Sequence, residues 1–182
     1  MMEADGDPIV LSSGAGYVVL QRTGEPLPQD KEIRIDLPVR AFVPPGWLEQ
    51  EALRLDLYRR ISSAGDHGPL ERTRTETVDR YGQLPPEVET LFAVASLRIT
   101  CARLGVAEVS TYRQQVRIKP LELPDALEHD LAERVPGARY LRTTSTLNLD
   151  PGRVPGSELP ALVERGLVRA MGERETVATV NP

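Results

Sequence analysis

Cysteine is almost absent from this 182-residue chain, with Cys101 alone. One thiol cannot build a disulfide framework, and the composition fits a reducing cytoplasm. Lysine is nearly as scarce. Of 22 basic residues only Lys31 and Lys119 are lysines, the rest being arginine. Neither lysine follows a glycine, which removes the Gly-Lys-Ser/Thr element of a nucleotide-binding P-loop. Arginine suits bidentate carboxylate pairing, although a GC-rich genome gives the same bias. No segment approaches the roughly 18 consecutive apolar residues of a membrane helix, so no membrane partner is expected. The start, "MMEADGDPIV", lacks the basic and apolar regions of a secretory signal.

Catalytic signatures are missing too. His67, in a Gly-flanked turn, and His129, on a helix surface, are too far apart in sequence to suggest a shared metal site. Ser12, Ser13 and Ser157 fit no nucleophile elbow. Cys101 reads as a small core residue. No catalytic residue, cofactor or metal is therefore expected. The net charge of −5 and pI near 5.2 argue against nucleic-acid binding by the chain as a whole.

What is present is a punctuated pattern of apolar periods. Residues 1–30 are rich in Gly, Ser, Pro and acid and read as a poorly ordered lead-in, with one short strand at "YVVLQ". "EIRIDLPVRAFVP" (32–44) alternates, placing Ile33, Ile35, Leu37, Val39 and Ala41 on one face of an edge strand, with Pro38 favouring the edge. "LEQEALRLDLYRRIS" repeats Leu53, Leu57 and Ile61 at helical spacing beside Tyr58. A second helix carries Pro69 in its first turn and runs to Tyr81, with Gly82 as its cap. Pro85 and Pro86 open a third, with Val88, Leu91, Phe92, Ala95 and Ile99 as core, stopped by Gly105. "AEVSTY" and "QQVRIKPLEL" are two short strands joined by a turn. "DALEHDLAERVPG" is a short helix, and "ARYLRTTSTLNLD" is one strand or a hairpin. "SELPALVERGLVRAMGE" closes the pattern as a helix with Leu159, Leu162, Val163, Leu167 and Met171 on one side; 173–182 is a flexible tail. The expected class is α+β, an N-terminal strand and three-helix segment followed by a small mixed sheet with packed helices over 31–172.

In "TETVDRYGQLPPEVETL" (75–91), Glu76 and Asp79 fall three apart on one helical face, just before a Tyr-Gly stop and a Pro-Pro restart. They could be catalytic, dock a basic partner, or be solvated surface. Glu76 also has Arg72 and Arg80 four residues away on either side, and its own helix could satisfy it.

Three ordered motifs bear on that choice: Asp36-Leu37-Pro38, then Arg54-Leu55 with Tyr58-Arg59-Arg60, then Val78-Asp79-Arg80-Tyr81-Gly82 with Leu84-Pro85. In this order they resemble the C-terminal domain of the bacterial transcription-repair coupling factor. The resemblance implies a regulatory, non-catalytic domain that packs on a UvrB-like module and covers the surface used by UvrA. Full-length members of that family are ATP-driven translocases acting on stalled RNA polymerase, and the motor lobes have no counterpart in this sequence. The family's docking carboxylates match Glu76 and Asp79, flanked by Arg80, with Arg72 and Tyr81 as possible further contacts. UvrA and RNA polymerase would be indirect partners, and direct DNA binding is not expected. The alternative is a nucleic-acid-contacting accessory domain using Arg54, Arg59, Arg60, Arg72, Arg74 and Arg80 against phosphate. Trp47, Tyr58 and Tyr81 fit core packing better than partner anchoring.

Overall fold

The computed structural model describes residues 33–172 throughout and, ahead of them, the backbone of Leu11–Ser12 and Tyr17–Val18. Those two pairs form β1 (Leu11–Ser12) and β2 (Tyr17–Val18), antiparallel to each other. The remainder of the lead-in and the tail from 173 lie outside the described residues.

The chain then runs through β3 (Arg34–Asp36), α1 (Glu51–Ser63), α2 (His67–Tyr81), α3 (Pro86–Leu104), β4 (Glu108–Tyr112) and β5 (Gln115–Lys119). Next come α4 (Asp125–His129), α5 (Leu131–Arg134), β6 (Arg139–Leu141), β7 (Thr146–Leu149) and α6 (Leu159–Ala170). The class is α+β. Strands β3 to β7 form one mixed sheet in the order β3-β4-β5-β7-β6.

Helix α3 organises the rest. An ordinary surface helix buries one stripe, but α3 buries Val88, Thr90, Leu91, Phe92, Val94, Ala95, Leu97, Ile99, Thr100 and Cys101. Apolar positions all round mark a core helix that needs cover on several sides. α1 and α2 cover it on one side and α6 on another, so the helices and the sheet share a single apolar cluster. The five core residues expected from periodicity are all buried, as is Cys101; Thr90, Val94, Leu97 and Thr100 reflect tertiary packing that periodicity alone does not reveal.

The sheet turns one face to this cluster. Directly opposed residues share a face, and the row Ile35–Val109–Ile118–Leu147 and the pair Val116–Leu149 point inward. Helix α6 lies close on that face because residue 166 is glycine. A Cβ there would come within 2.9 Å of Leu149 Cδ1.

Several expectations need correction. Of the strand expected over 32–44, only Arg34–Asp36 is in a ladder. Of the residues expected on one face, Ile35, Leu37 and Ala41 are buried and Ile33 and Val39 partly so; Val43 is buried too, and its N–H donates to Tyr58 Oη (2.7 Å) instead of to a strand. β3 does take an edge position, pairing parallel with β4 after the crossover through α1–α3. The helix expected over 125–137 is broken into α4 and α5 at Asp130. His67 is the first residue of α2, not part of a turn. The "strand or hairpin" is a hairpin, β6–β7, joined through a 3-10 turn at Arg142–Thr144.

Neighbouring strands provide a contrast that tests this packing. Leu147 is fully buried and Leu141 is 49% exposed. Leu147→Ala is expected to lower unfolding free energy by about 2–5 kcal/mol, and Leu141→Ala by no more than about 0.5 kcal/mol. Urea denaturation of both variants reads the difference.

Candidate functional site

The site is built on the outer face of α2. Leu70, Thr73 and Thr77 face inward. The two threonines bond back along their own helix, Thr73 Oγ1 to Pro69 O (3.1 Å) and Thr77 Oγ1 to Thr73 O (2.6 Å). These buried hydroxyls are thereby satisfied without outside partners. With the inward face settled, helical periodicity sends Arg72, Glu76, Asp79 and Arg80 outward, where all four are exposed. A shallow groove of about 400 Å³ runs along this face, lined by Gly68, Glu71, Arg72, Thr75 and Glu76.

Three contacts fix α2. Arg74 makes a two-pronged bond to Glu89 of α3, Nη2 to Oε1 at 2.8 Å and to Oε2 at 3.0 Å. Gly82, at φ 78°, ends the helix with its N–H on Val78 O (2.8 Å). That positive φ favours glycine. The corner is then pinned from the side: Tyr81 meets Trp47 edge to face, with centroids 5.9 Å apart, and Leu84 is buried beneath it. Tyr58 is also buried, its phenol pushed above its usual range chiefly by desolvation. Trp47, Tyr58 and Tyr81 thus pack into or against the core, as their sequence context suggests.

The carboxylates themselves differ. Glu76 is bonded to Arg60 of α1, not to Arg72 or Arg80 of its own helix. Helical spacing pointed to the local pair; the packing of α1 against α2 supplied a closer cation. Among the described residues no ion pair engages Asp79. The face therefore presents one lightly held carboxylate and one open one, side by side on a fixed helix.

The six helical arginines are not all open to a phosphate partner. Arg54 donates to Leu48 O (2.8 Å) and Glu49 O (2.6 Å), Arg60 is on Glu76, and Arg74 is on Glu89. Half of that set is engaged within the chain.

A second polar cluster escaped sequence reasoning. His67, opening α2, reaches Ser96 Oγ and Thr100 Oγ1 of α3, each 3.2 Å from a different ring nitrogen. Both hydroxyls donate to Glu164 Oε1 of α6, at 2.9 and 2.6 Å. The i,i+4 spacing of Ser96 and Thr100 was the only available hint, since the other members come from different helices. Beside this cluster, Cys101 is fully buried, and its thiol is pushed up to about 12 by desolvation and then by Glu164. It stays protonated at neutral pH, the state of an inert core thiol. His129 closes α4 at the surface, and Ser157 lies in the 3-10 turn before α6. Ser12 belongs to β1; Ser13 lies outside the described residues. Among the described residues no group of three or more His, Cys, Asp or Glu could hold a metal ion, and no helix is long and apolar enough to cross a membrane.

Comparison with known proteins agrees with the fold and the motifs. Residues 37–126 match the family model of the TRCF domain. The transcription-repair-coupling factor of Mycobacterium bovis is 36% identical over 162 residues, covering 88% of this chain and 13% of that protein. The Helicobacter pylori protein of the same name is 27% identical over 125 residues, covering 65% of this chain and 12% of its own length. The chain thus spans about an eighth of the relatives it matches. A solved C-terminal domain of a transcription-repair coupling factor superposes with a TM-score of 0.62 at 17% identity, over 76% of this chain and 92% of that one. At that identity the likeness shows the fold.

The Arg60–Glu76 bond invites a double-mutant cycle with Arg60→Ala and Glu76→Ala. An exposed pair is expected to give a coupling energy of about 0.2–1 kcal/mol, reduced by added salt. A coupling of zero at low salt would mean that Glu76 is not held by Arg60 in solution.

Proposed function

The chain carries a TRCF domain of the transcription-repair coupling factor family, and on that premise we propose that it is a non-catalytic docking domain in transcription-coupled DNA repair. It packs on a basic UvrB-like module through Glu76 and Asp79, with Arg80 beside them and Arg72 and Tyr81 at the rim. In doing so it masks the surface through which that module would take up UvrA. It acts either as part of a coupling factor or in trans on one, and RNA polymerase enters only through the larger assembly.

The observation that carries this reading is the pairing of exposure with rigidity at α2. Glu76 and Asp79 stand on one exposed face, while the Arg74–Glu89 bond, the Gly82 stop and the Trp47–Tyr81 contact hold the helix under them. Pre-positioned carboxylates lose little freedom on binding. Charge complementarity of this kind favours specificity and association rate over raw affinity. Each charge-assisted bond, once partly desolvated, supplies about 1–3 kcal/mol, a scale suited to a contact that must also release. The open groove beside Glu76 gives an approaching side chain room to lie along the helix.

Titration against an isolated UvrB-like module tests the proposal. Wild type is expected to bind, and Glu76→Arg/Asp79→Arg to weaken binding about a hundredfold or more with an unchanged thermal melt. The milder Glu76→Gln/Asp79→Asn should lie between the two. Absence of binding by folded wild type, or binding indifferent to both double variants, would overturn it.

A further inference from the structure

The sheet has a second face, most of whose described residues are exposed, although Thr146 and Asn148 of β7 are buried on it. Alternation along the strands sends Arg34, Asp36, Glu108, Ser110, Tyr112, Gln115, Arg117, Lys119, Arg139 and Leu141 outward. The two ends of this surface differ. Near β3 the charges cancel, with Arg34 to Asp36 at 3.7 Å and Lys119 to Glu108 at 3.3 Å. Burial alone would raise the Glu108 carboxyl, but Ser110, Lys119 and Arg34 hold it below its usual range. Further across, Arg113, Arg117 and Arg139 have no carboxylate partner among the described residues.

Two of these cations, Arg113 and Arg117, flank an aromatic ring. Tyr112 is 44% exposed. The Arg117 guanidinium, on the central strand, stacks 4.0 Å from its ring centroid, and that of Arg113 lies at 5.2 Å. Arg139 continues the charge in the Arg117–Asn148–Arg139 cross-strand row. The β4–β5 turn adds an independent observation. Arg113 and Gln114 sit at φ 47° and 66°, where glycine is the easier residue in a two-residue hairpin. An arginine in a position suited to glycine keeps a guanidinium beside the ring that glycine would forfeit, and strain of this sort concentrates at working surfaces.

We propose that this face binds single-stranded nucleic acid, with Arg117 and Arg139 on phosphates and the Arg117–Tyr112–Arg113 stack as a planar platform for unpaired bases. A sheet backed by helices on one side, with aromatic and guanidinium planes on the other, suits unstacked bases, which every nucleotide presents as a flat π surface. A duplex fits less well, because among the described residues no helix projects from this face into a groove. An acidic peptide matches the charge but not the platform, since its carboxylates offer no aromatic ring to lie on Tyr112. The overall charge of −5 confines the attraction to this patch, so binding is modest and strongly weakened by salt. The site is separate from the α2 carboxylates, and Glu76→Arg leaves it intact.

The test is fluorescence anisotropy of the full chain with a labelled oligothymidylate of about 15 nucleotides. Binding is expected at low salt and should fall steeply as salt rises. Arg117→Glu and Arg139→Glu should each weaken it about tenfold or more, and Tyr112→Ala about fivefold or more. Arg59→Glu on α1 should change it little. No binding at low salt, or equal losses from Arg59→Glu, would overturn the proposal. Displacement by polyglutamate as effective as by unlabelled oligonucleotide would also overturn it and assign the face to an acidic protein. Circular dichroism melts of each exposed-site variant separate loss of binding from loss of fold.

Discussion

Everything in this domain is arranged around a helix that has no solvent-facing stripe to spare. α3 buries leucine, valine, phenylalanine and threonine on successive faces, so it is stable in water only when wrapped. Thr90 closes its hydrogen bond within the helix, on Pro86 O at 2.7 Å, while Thr100 donates to Glu164 of α6. Arg98, from its middle, donates to Ser62 O (3.2 Å) and Ala64 O (2.9 Å), meeting carbonyls that the end of α1 leaves without helical partners. The same requirement brings in α6, whose Gly166 lets it approach the sheet, and ties α2 to α3 through Arg74 and Glu89.

Wrapping α3 decides what the surface can present. Once Leu70, Thr73 and Thr77 are committed inward, the outward positions of α2 follow from helix geometry, and two of them are Glu76 and Asp79. Burial of α3 thus reaches the Glu76–Asp79 face through one helix and one corner. The sheet shows the same logic from the other side. Its inner residues are committed to the shared cluster, leaving polar, cationic and aromatic side chains on the opposite face. The α2 face sets exposed carboxylates among arginines, and one end of the sheet face is cationic, although the net charge describes neither.

Local punctuation was legible in the sequence. Pro85–Pro86 marks the start of α3, and Gly82 and Gly105 end α2 and α3 at positive φ (78° and 72°), because those residues act through their own backbone. The Tyr112–Arg113–Gln114–Gln115 turn joined the two expected strands in the same way. Non-local choices were not legible. Parallel pairing of β3 with β4 depends on where a crossover of three helices delivers the chain, and no residue in "EIRID" encodes that address. The partner of Glu76 was misjudged for a related reason. Arg72 and Arg80 are near in sequence, but Arg60 is brought near by α1 packing. Glu164 and His67 meet only because α2, α3 and α6 converge. The family-specific motifs carried what periodicity could not, marking the helix and corner on which the carboxylates stand.

The central claim is that α2 and α3 form one rigid unit, so that Glu76 and Asp79 are held in place before any partner arrives. Native-state hydrogen exchange measures this directly. Backbone amides of α2 between Thr73 and Val78 are expected to exchange in the same cooperative opening as those of α3 between Leu91 and Thr100, at free energies near that of global unfolding. Exchange of the α2 amides through a separate low-energy opening, while α3 stays protected, would contradict it: the carboxylate face would then be a mobile flap rather than a pre-set docking surface.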